Sequence, residues 1–203
     1  MKFIELESER LLYRKFNPND FSIVYDWLGN IENMRFRRGE PRTENETREY
    51  LDWAISSAEA EDCVNFEYAV CLKSDTSLIG AATLMHLPDD PEIGWTVHRN
   101  HWRNGYGTEI GKTMLRLGFD ILGVQRIIAG CNAENRASYR IMELIGMRRE
   151  AHYIKAQHGG SALNNRWCDR FQYAILKEEW RAKNNVDTMG NRKRPPCMVC
   201  DCF

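Results

Sequence analysis

The stretch "HRNHWRNGYGTEIGKTML" at residues 98–115 places Gly105, Gly107 and Gly111 close together and follows the last with Lys112 and Thr113. Glycines this dense let a main chain approach another group with no Cβ in the way. The residues before the loop read as a strand and those after it as a helix, so the bend presents unpartnered N–H groups at a helix N-terminus. Such a nest attracts an anion by roughly 0.3–2 kcal/mol per charge from the helix dipole. A diphosphate suits it. Spacing argues against the two familiar nucleotide loops. A dinucleotide fingerprint needs G-x-G-x-x-G; here the third glycine comes one residue late, and Ile110 stands where a small residue is wanted. A Walker loop needs a glycine five residues before its G-K-T, and that position is Tyr106. With the helix beginning near Thr108, Lys112 lies in its second turn and faces solvent beside Arg116.

Metal chemistry has less support. Cysteines stand at 63, 71, 131, 168, 197, 200 and 202. The first four are scattered among strands and helices and read as buried, reduced thiols. The last three sit in "RPPCMVCDCF", a C-x-x-C-x-C run that lacks a second pair or a histidine partner for zinc. The terminal residues Cys200 to Phe203 lack the aliphatic positions of a prenylation box. His98 and His101 are too isolated to hold an ion, so no metal is expected.

The chain's 203 residues fit one domain, and 28 basic against 29 acidic side chains give a formal net charge of -1. That balance carries no footprint for a phosphate backbone, so nucleic acid is not an expected partner. The apolar runs are far too short to span a membrane. The start "MKFIELESERLLYR" has no signal-peptide core. The expected location is cytoplasmic, the expected state monomer or homodimer.

The elements that must position the loop follow from periodicity. "IELESERLLYRKF" alternates like a first strand. "NPNDFSIVYDWLGN" reads as a helix with a cap at Asn19 or Asp20, closed by Gly29. "RTENETREYLDWAISSAEAED" opens with Thr43 and carries Glu46 three residues on, a capping box. The connector between these helices, "IENMRFRRGEP", looks irregular. Three strands, "VNFEYAVCL", "SLIGAATLMHL" and "EIGWTVHR", are joined by turn-rich links and are expected to be antiparallel neighbours. After the loop come the helix "TEIGKTMLRLGFDILG", the strand "QRIIAGCN" and a helix around "ENRASYRIMELIG". Two last strands, "MRREAHYIKA" and "RWCDRFQYAILKEEW", complete the order β-αα-βββ-α-β-α-ββ. This is an α+β fold, a mixed and mostly antiparallel sheet with helices on both faces, over residues 1–183. Residues 184–203 read as a polar, cysteine-bearing tail without order.

The segments "EIGWTVHRNHWRNGYGTEI" and "RIIAGCNAENRASYRIMELIGMRRE" resemble the acetyl-CoA-binding core of the GNAT superfamily of N-acetyltransferases, and more narrowly its RimJ/RimL branch of ribosomal-protein N-terminal acetyltransferases. The motifs are Glu92-Ile93-Gly94, Trp102 to Glu109, Asn135 to Ser138, and Asp169 to Tyr173, in that order. The likeness covers roughly residues 7 to 180. It implies that the anion is the pyrophosphate of coenzyme A. The donors it implies are the main-chain amides of Arg103, Asn104, Gly105, Tyr106, Gly107 and Thr108. The strand Trp95, Thr96, Val97 would pair with the pantetheine arm, much as an added strand would.

Acetyl transfer needs a deprotonated amine, a polarised thioester and a proton for the departing thiolate. Glu92 is the expected general base. On an extended strand it shares a face with Gly94, Thr96 and His98, and partial burial there would raise its pKa. His98 and His86 are alternative bases, each more at home as a strand-end surface residue. Ser138, one helical turn after Asn135, is the expected general acid, with Tyr139 as a weaker alternative. Asn135 would cap the helix and bond the pantetheine arm. An amide near Trp95 would polarise the carbonyl. For the acceptor, a peptide N-terminus or a small amine, the candidates are Arg35, Phe36, Tyr153 and Asp169. Trp27, Trp53 and His158 are possible further wall residues.

Overall fold

The computed structural model describes residues 1–88 and 91–190, so Cys197, Cys200 and Cys202 lie outside the described residues. Its sheet holds β1 (Leu6–Glu7), β2 (Leu11–Arg14), β3 (Phe66–Leu72), β4 (Leu78–Met85), β5 (Glu92–Val97), β6 (Arg126–Asn132), β7 (Arg148–His158) and β8 (Trp167–Leu176). The strand order is β1-β2-β3-β4-β5-β6-β8-β7. Neighbours are antiparallel except β5 and β6, which are parallel and meet at one register pair, Glu92 with Ile128.

Helices α1 (Phe21–Leu28), α2 (Ile31–Met34) and α3 (Glu44–Glu59) pack on one face, around Val24, Trp27, Leu51, Ala54, Ala69 and Ala81. Helices α4 (Tyr106–Arg116) and α5 (Arg136–Leu144) cover the other, around Phe66, Tyr68, Ile93, Ile110, Met114 and Met142. The alternation along β3 sends Phe66, Tyr68 and Val70 to the second core and Glu67 and Ala69 to the first face. The Thr43–Glu46 capping box starts α3 as its spacing requires. Cys63, Cys71, Cys131 and Cys168 are buried and free.

Several boundaries differ from the sequence reading. The first strand breaks at Ser8–Arg10 into the β1–β2 hairpin, because both side chains and the Arg10 N–H turn toward Glu109 of α4. Asp20 is the N-cap position of α1 but makes no side-chain bond into that helix; its carboxylate instead closes a reciprocal capping box with Asn17 across the short turn Pro18–Asp20. The connector contains α2, capped by the Asn30 side chain. Helix α4 begins at Tyr106 rather than near Thr108 and ends in a wider turn over Leu117–Ile121. The last strand stops at Leu176: Glu179 accepts its N–H at 2.8 Å, and α6 (Lys177–Gly190) begins there, continuing past Asn184.

Candidate functional site

Past the Glu92–Ile128 pair, β5 and β6 have no further partners in each other, and the gap between them opens into a cleft of about 1390 Å³. The His98 N–H donates to Ile79 O at 2.8 Å. Strand alternation therefore turns the main-chain groups of Thr96 to β4 and those of Trp95 and Val97 to the gap. A Cβ on Gly80 of β4 would meet Thr96 O at 2.1 Å, so that carbonyl lies close against β4 and only a glycine fits there. This corrects part of the expected pairing strand. Thr96 offers the gap no amide, and Val97 O already accepts from Trp102 Nε1 at 2.7 Å and Asn33 Nδ2 at 3.0 Å. The Trp95 N–H and C=O and the Val97 N–H remain for a ligand.

At one end of the cleft the glycine loop turns into α4. Gly105 has φ +78° and Arg103 φ +65°, left-handed conformations that bend the chain sharply. Among the described residues, the N–H groups of Arg103 to Gly107 have no partner, whereas the Thr108 N–H closes onto Gly105 O at 3.1 Å. Thr108 is thus not a donor, a consequence of the earlier helix start. A Cβ on Gly107 would lie 2.6 Å from Ile141 Cδ1 of α5, and one on Gly111 would lie 2.9 Å from Ile145 Cδ1. Two of the loop's glycines therefore also set how closely α4 and α5 approach. Glu109 locks the loop to the β1–β2 turn, accepting from Ser8 Oγ at 2.7 Å, Arg10 N at 2.7 Å and Arg10 Nε at 2.8 Å. Burial would raise the Glu109 carboxyl, but these donors hold it below its ordinary value.

Across the gap, Asn135 Oδ1 accepts the Ser138 N–H at 3.1 Å and caps α5, which leaves Ser138 and Asn135 on the cleft wall. Beside Ser138 lies the Cys131 thiol, pushed up to about 11 by burial and so kept protonated, with the serine hydroxyl partly opposing the shift. Tyr139 instead packs edge-on against Phe171, 5.8 Å between ring centres, off the cleft wall. The Asn132 Nδ2 is buried in this wall and has no hydrogen-bond partner among the described residues. A buried donor left unpaired costs about 1–3 kcal/mol. Its amide, the open amides of the loop and the gap-facing groups of Trp95 and Val97 fit a diphosphate followed by an arm that carries amides.

The opposite end of the cleft is walled by side chains. Glu92, one-third exposed, takes Arg170 Nη2 on Oε1 at 3.3 Å. The Arg170 side chain lies over Gly130, where a Cβ would collide with it. Partial burial is therefore joined by an ion-pair partner that spacing did not reveal. Arg35, Phe36 and Trp53 line this end, while Trp27 is core. Tyr153, Asp169 and His158 stand outside the cleft wall. Asp169 accepts from Lys155 N at 2.9 Å and pairs with His152 Nε2 at 2.7 Å, and these partners hold its carboxyl below the ordinary range. His98 is buried rather than superficial, its Nε2 2.6 Å from Asp26 Oδ2, whereas His86 lines the cleft. Sequence reasoning missed Glu67 and Tyr50, which also line this end. A lone glutamate inside the apolar run "FEYAVCL" was the available signal.

A family model for the acetyltransferase (GNAT) domain matches residues 10–148. An uncharacterized N-acetyltransferase of Bacillus subtilis, YnaD, is 32% identical over 179 residues, covering 87% of this chain and 99% of its own. The solved structure of a GNAT-family acetyltransferase from Bacillus anthracis is also 32% identical, with a TM-score of 0.74 and coverage of 86% of this chain and 99% of that one. Spermidine N-acetyltransferase from Vibrio cholerae, solved with CoA and spermine, shares the fold at 20% identity and a TM-score of 0.72, over 84% of this chain and 98% of its own. With its splayed strands, glycine hinge and family match, this chain belongs to the GNAT acetyltransferases.

Proposed function

We propose that the protein transfers the acetyl group of acetyl-CoA to the α-amine of a peptide N-terminus in the cytoplasm, as the RimJ/RimL resemblance implies. Bound acetyl-CoA supplies an acetyl thioester, and the rest of the chemistry falls to the protein. The amides of Arg103 to Gly107 hold the phosphates, and the Trp95 N–H points at the carbonyl. Glu92 draws one proton from the ammonium, and Ser138 passes its hydroxyl proton to the departing thiolate and regains one from the N–H that the nitrogen sheds as the amide forms. The observation that carries this reading is the β5–β6 gap with Glu92 on one side and Ser138 on the other. A peptide acceptor is supported by exposed Arg35 and Arg38 on the cleft lining, guanidinium groups suited to a peptide's carboxylates.

A small polyamine-like acceptor is the second reading, favoured by Glu46, Glu49 and Glu67 along the same wall. Thiol release from acetyl-CoA against a panel of peptides and amines separates the two. Turnover with peptides alone supports the first, with small amines alone the second. Binding of acetyl-CoA without turnover by any amine would make the chain a non-catalytic sensor.

A further inference from the structure

The acceptor wall holds an acid that this chemistry leaves unused. Glu67 is the second residue of β3, 4% exposed, and its Oε1 accepts the Tyr50 hydroxyl of α3. Among the described residues Oε2 takes no hydrogen bond, although Glu67 lines the cleft. The charged groups facing it are Arg37 and Arg42 of the α2–α3 connector, neither within salt-bridge distance. Arg37 Nη1 donates to Thr96 Oγ1 at 2.5 Å, and Arg42 lies over the Tyr50 ring, 4.9 Å from its centre. A carboxyl group buried without an ion-pair partner is costly in an otherwise apolar strand. Burial pushes it up to about 7, against the hydrogen bond from Tyr50 and the two arginines. It can therefore both take and release a proton near neutral pH.

Register connects this acid to the gap. Glu67 pairs with Thr83 of β4, and Thr83 pairs with Gly94 of β5, so the three form one row on the α1–α3 face. The Thr83 hydroxyl leans toward β5, 2.8 Å from where a Cβ on Gly94 would stand. Gly94 lies two residues beyond Glu92 on the same face. The row spans two strand spacings, about 10 Å, a distance that a hydroxyl and water can bridge.

We propose that Glu67 is the terminal proton store of the acetyl transfer, taking the proton shed by the acceptor's ammonium by way of Glu92, water and the Thr83 hydroxyl. The proposal rests on the acetyl-transfer reading above. An N–H bond of the ammonium breaks and leaves its electron pair on nitrogen for attack. Thr83 Oγ accepts one proton as it passes on its own, and an O–H bond forms at Glu67 Oε2. The ammonium and the carboxylate both end neutral. Glu67 returns the proton to solvent through the cleft after product leaves, while Tyr50 holds its other oxygen throughout.

The test is the ratio of wild-type kcat to that of Glu67→Gln across pH, using the full chain, acetyl-CoA and an acceptor found by the panel. The acceptor's own titration occurs in both enzymes and cancels. The expected ratio is near 1 well below neutrality, where Glu67 is already protonated, and climbs to roughly 30–100-fold above it. Tyr50→Phe removes a donor that favours the charged form, so it should move the midpoint to higher pH. A ratio that is flat with pH, or equal to 1 throughout, overturns the proposal. Thr83→Val tests it without disturbing the buried acid: kcat should fall by roughly 5–10-fold above pH 7 and stay unchanged in acid, and an unaffected kcat at all pH would contradict it. If wild type binds acetyl-CoA yet turns over no amine, the acetyl-transfer reading itself has failed and takes this one with it.

Discussion

At the loop end of the cleft, the groups that would meet a ligand are main-chain N–H groups of Arg103 to Gly107, Trp95 and Val97. At the acceptor end, the groups are side chains brought in from α2, α3, β3, β5 and β8. The first end is therefore set by glycine positions, helix caps and strand splay, all local properties. The second is set by pairs far apart in sequence: Tyr50 with Glu67, 17 residues apart, and Arg170 with Glu92, 78 apart. A main-chain cradle tolerates side-chain change and serves one invariant ligand. A side-chain wall can be rebuilt for each acceptor.

The comparison can be broken at either end. The largest effect is expected from Ser138→Ala, which should lower kcat by about 10²–10³-fold with acetyl-CoA affinity nearly unchanged. Single-turnover kinetics beside a binding titration check this, and a wild-type rate would move the acid role elsewhere. Next is a stability effect at the acceptor end. Folded Glu67 takes up its proton at about 7, against an ordinary value of 4.5. The folded state therefore binds more protons than the unfolded between those values, and stability from this group falls as pH rises through that window. The loss should approach about 3 kcal/mol above pH 7, be absent below pH 4.5, and be missing from Glu67→Gln. Denaturant melts at several pH values read it directly.

Gly107→Val should come third. Its side chain would strike Ile141, part α4 from α5 and misplace the amides. Calorimetry should show acetyl-CoA affinity weakened by about 10–100-fold, or about 1.4–2.8 kcal/mol; unchanged affinity would count against the loop. The smallest effect is Asn132→Asp, which keeps the oxygen that accepts the Glu134 N–H and removes the orphaned donor. Affinity should drop by about tenfold. An unaltered dissociation constant would mean that another group satisfies Nδ2.

These halves also differ in how far the sequence exposes them. The strand and helix order, the Thr43–Glu46 cap, the glycine hinge and the Asn135–Ser138 spacing are local patterns, and each reads directly from neighbouring residues. The start of α4 was missed because Gly105 in a left-handed turn lets Tyr106 enter the helix, a conformational choice no periodicity records. The Glu109 clamp joins residues 99 apart, so only the folded hairpin brings Arg10 to it. Glu67 stayed hidden because alternation assigns a face and does not say what covers it. Asp169 illustrates the reverse: it stands in a family motif, yet His152 and the Lys155 N–H already satisfy it.

The central claim is that unpartnered amides at the hinge grip the phosphates of coenzyme A and aim its arm into the β5–β6 gap. Crystals soaked with coenzyme A test it most directly. The account predicts pyrophosphate oxygens within hydrogen-bonding distance of the Arg103 to Gly107 N–H groups, and the arm alongside Trp95 and Asn132. Coenzyme A bound elsewhere, with those amides still unpartnered, would contradict it.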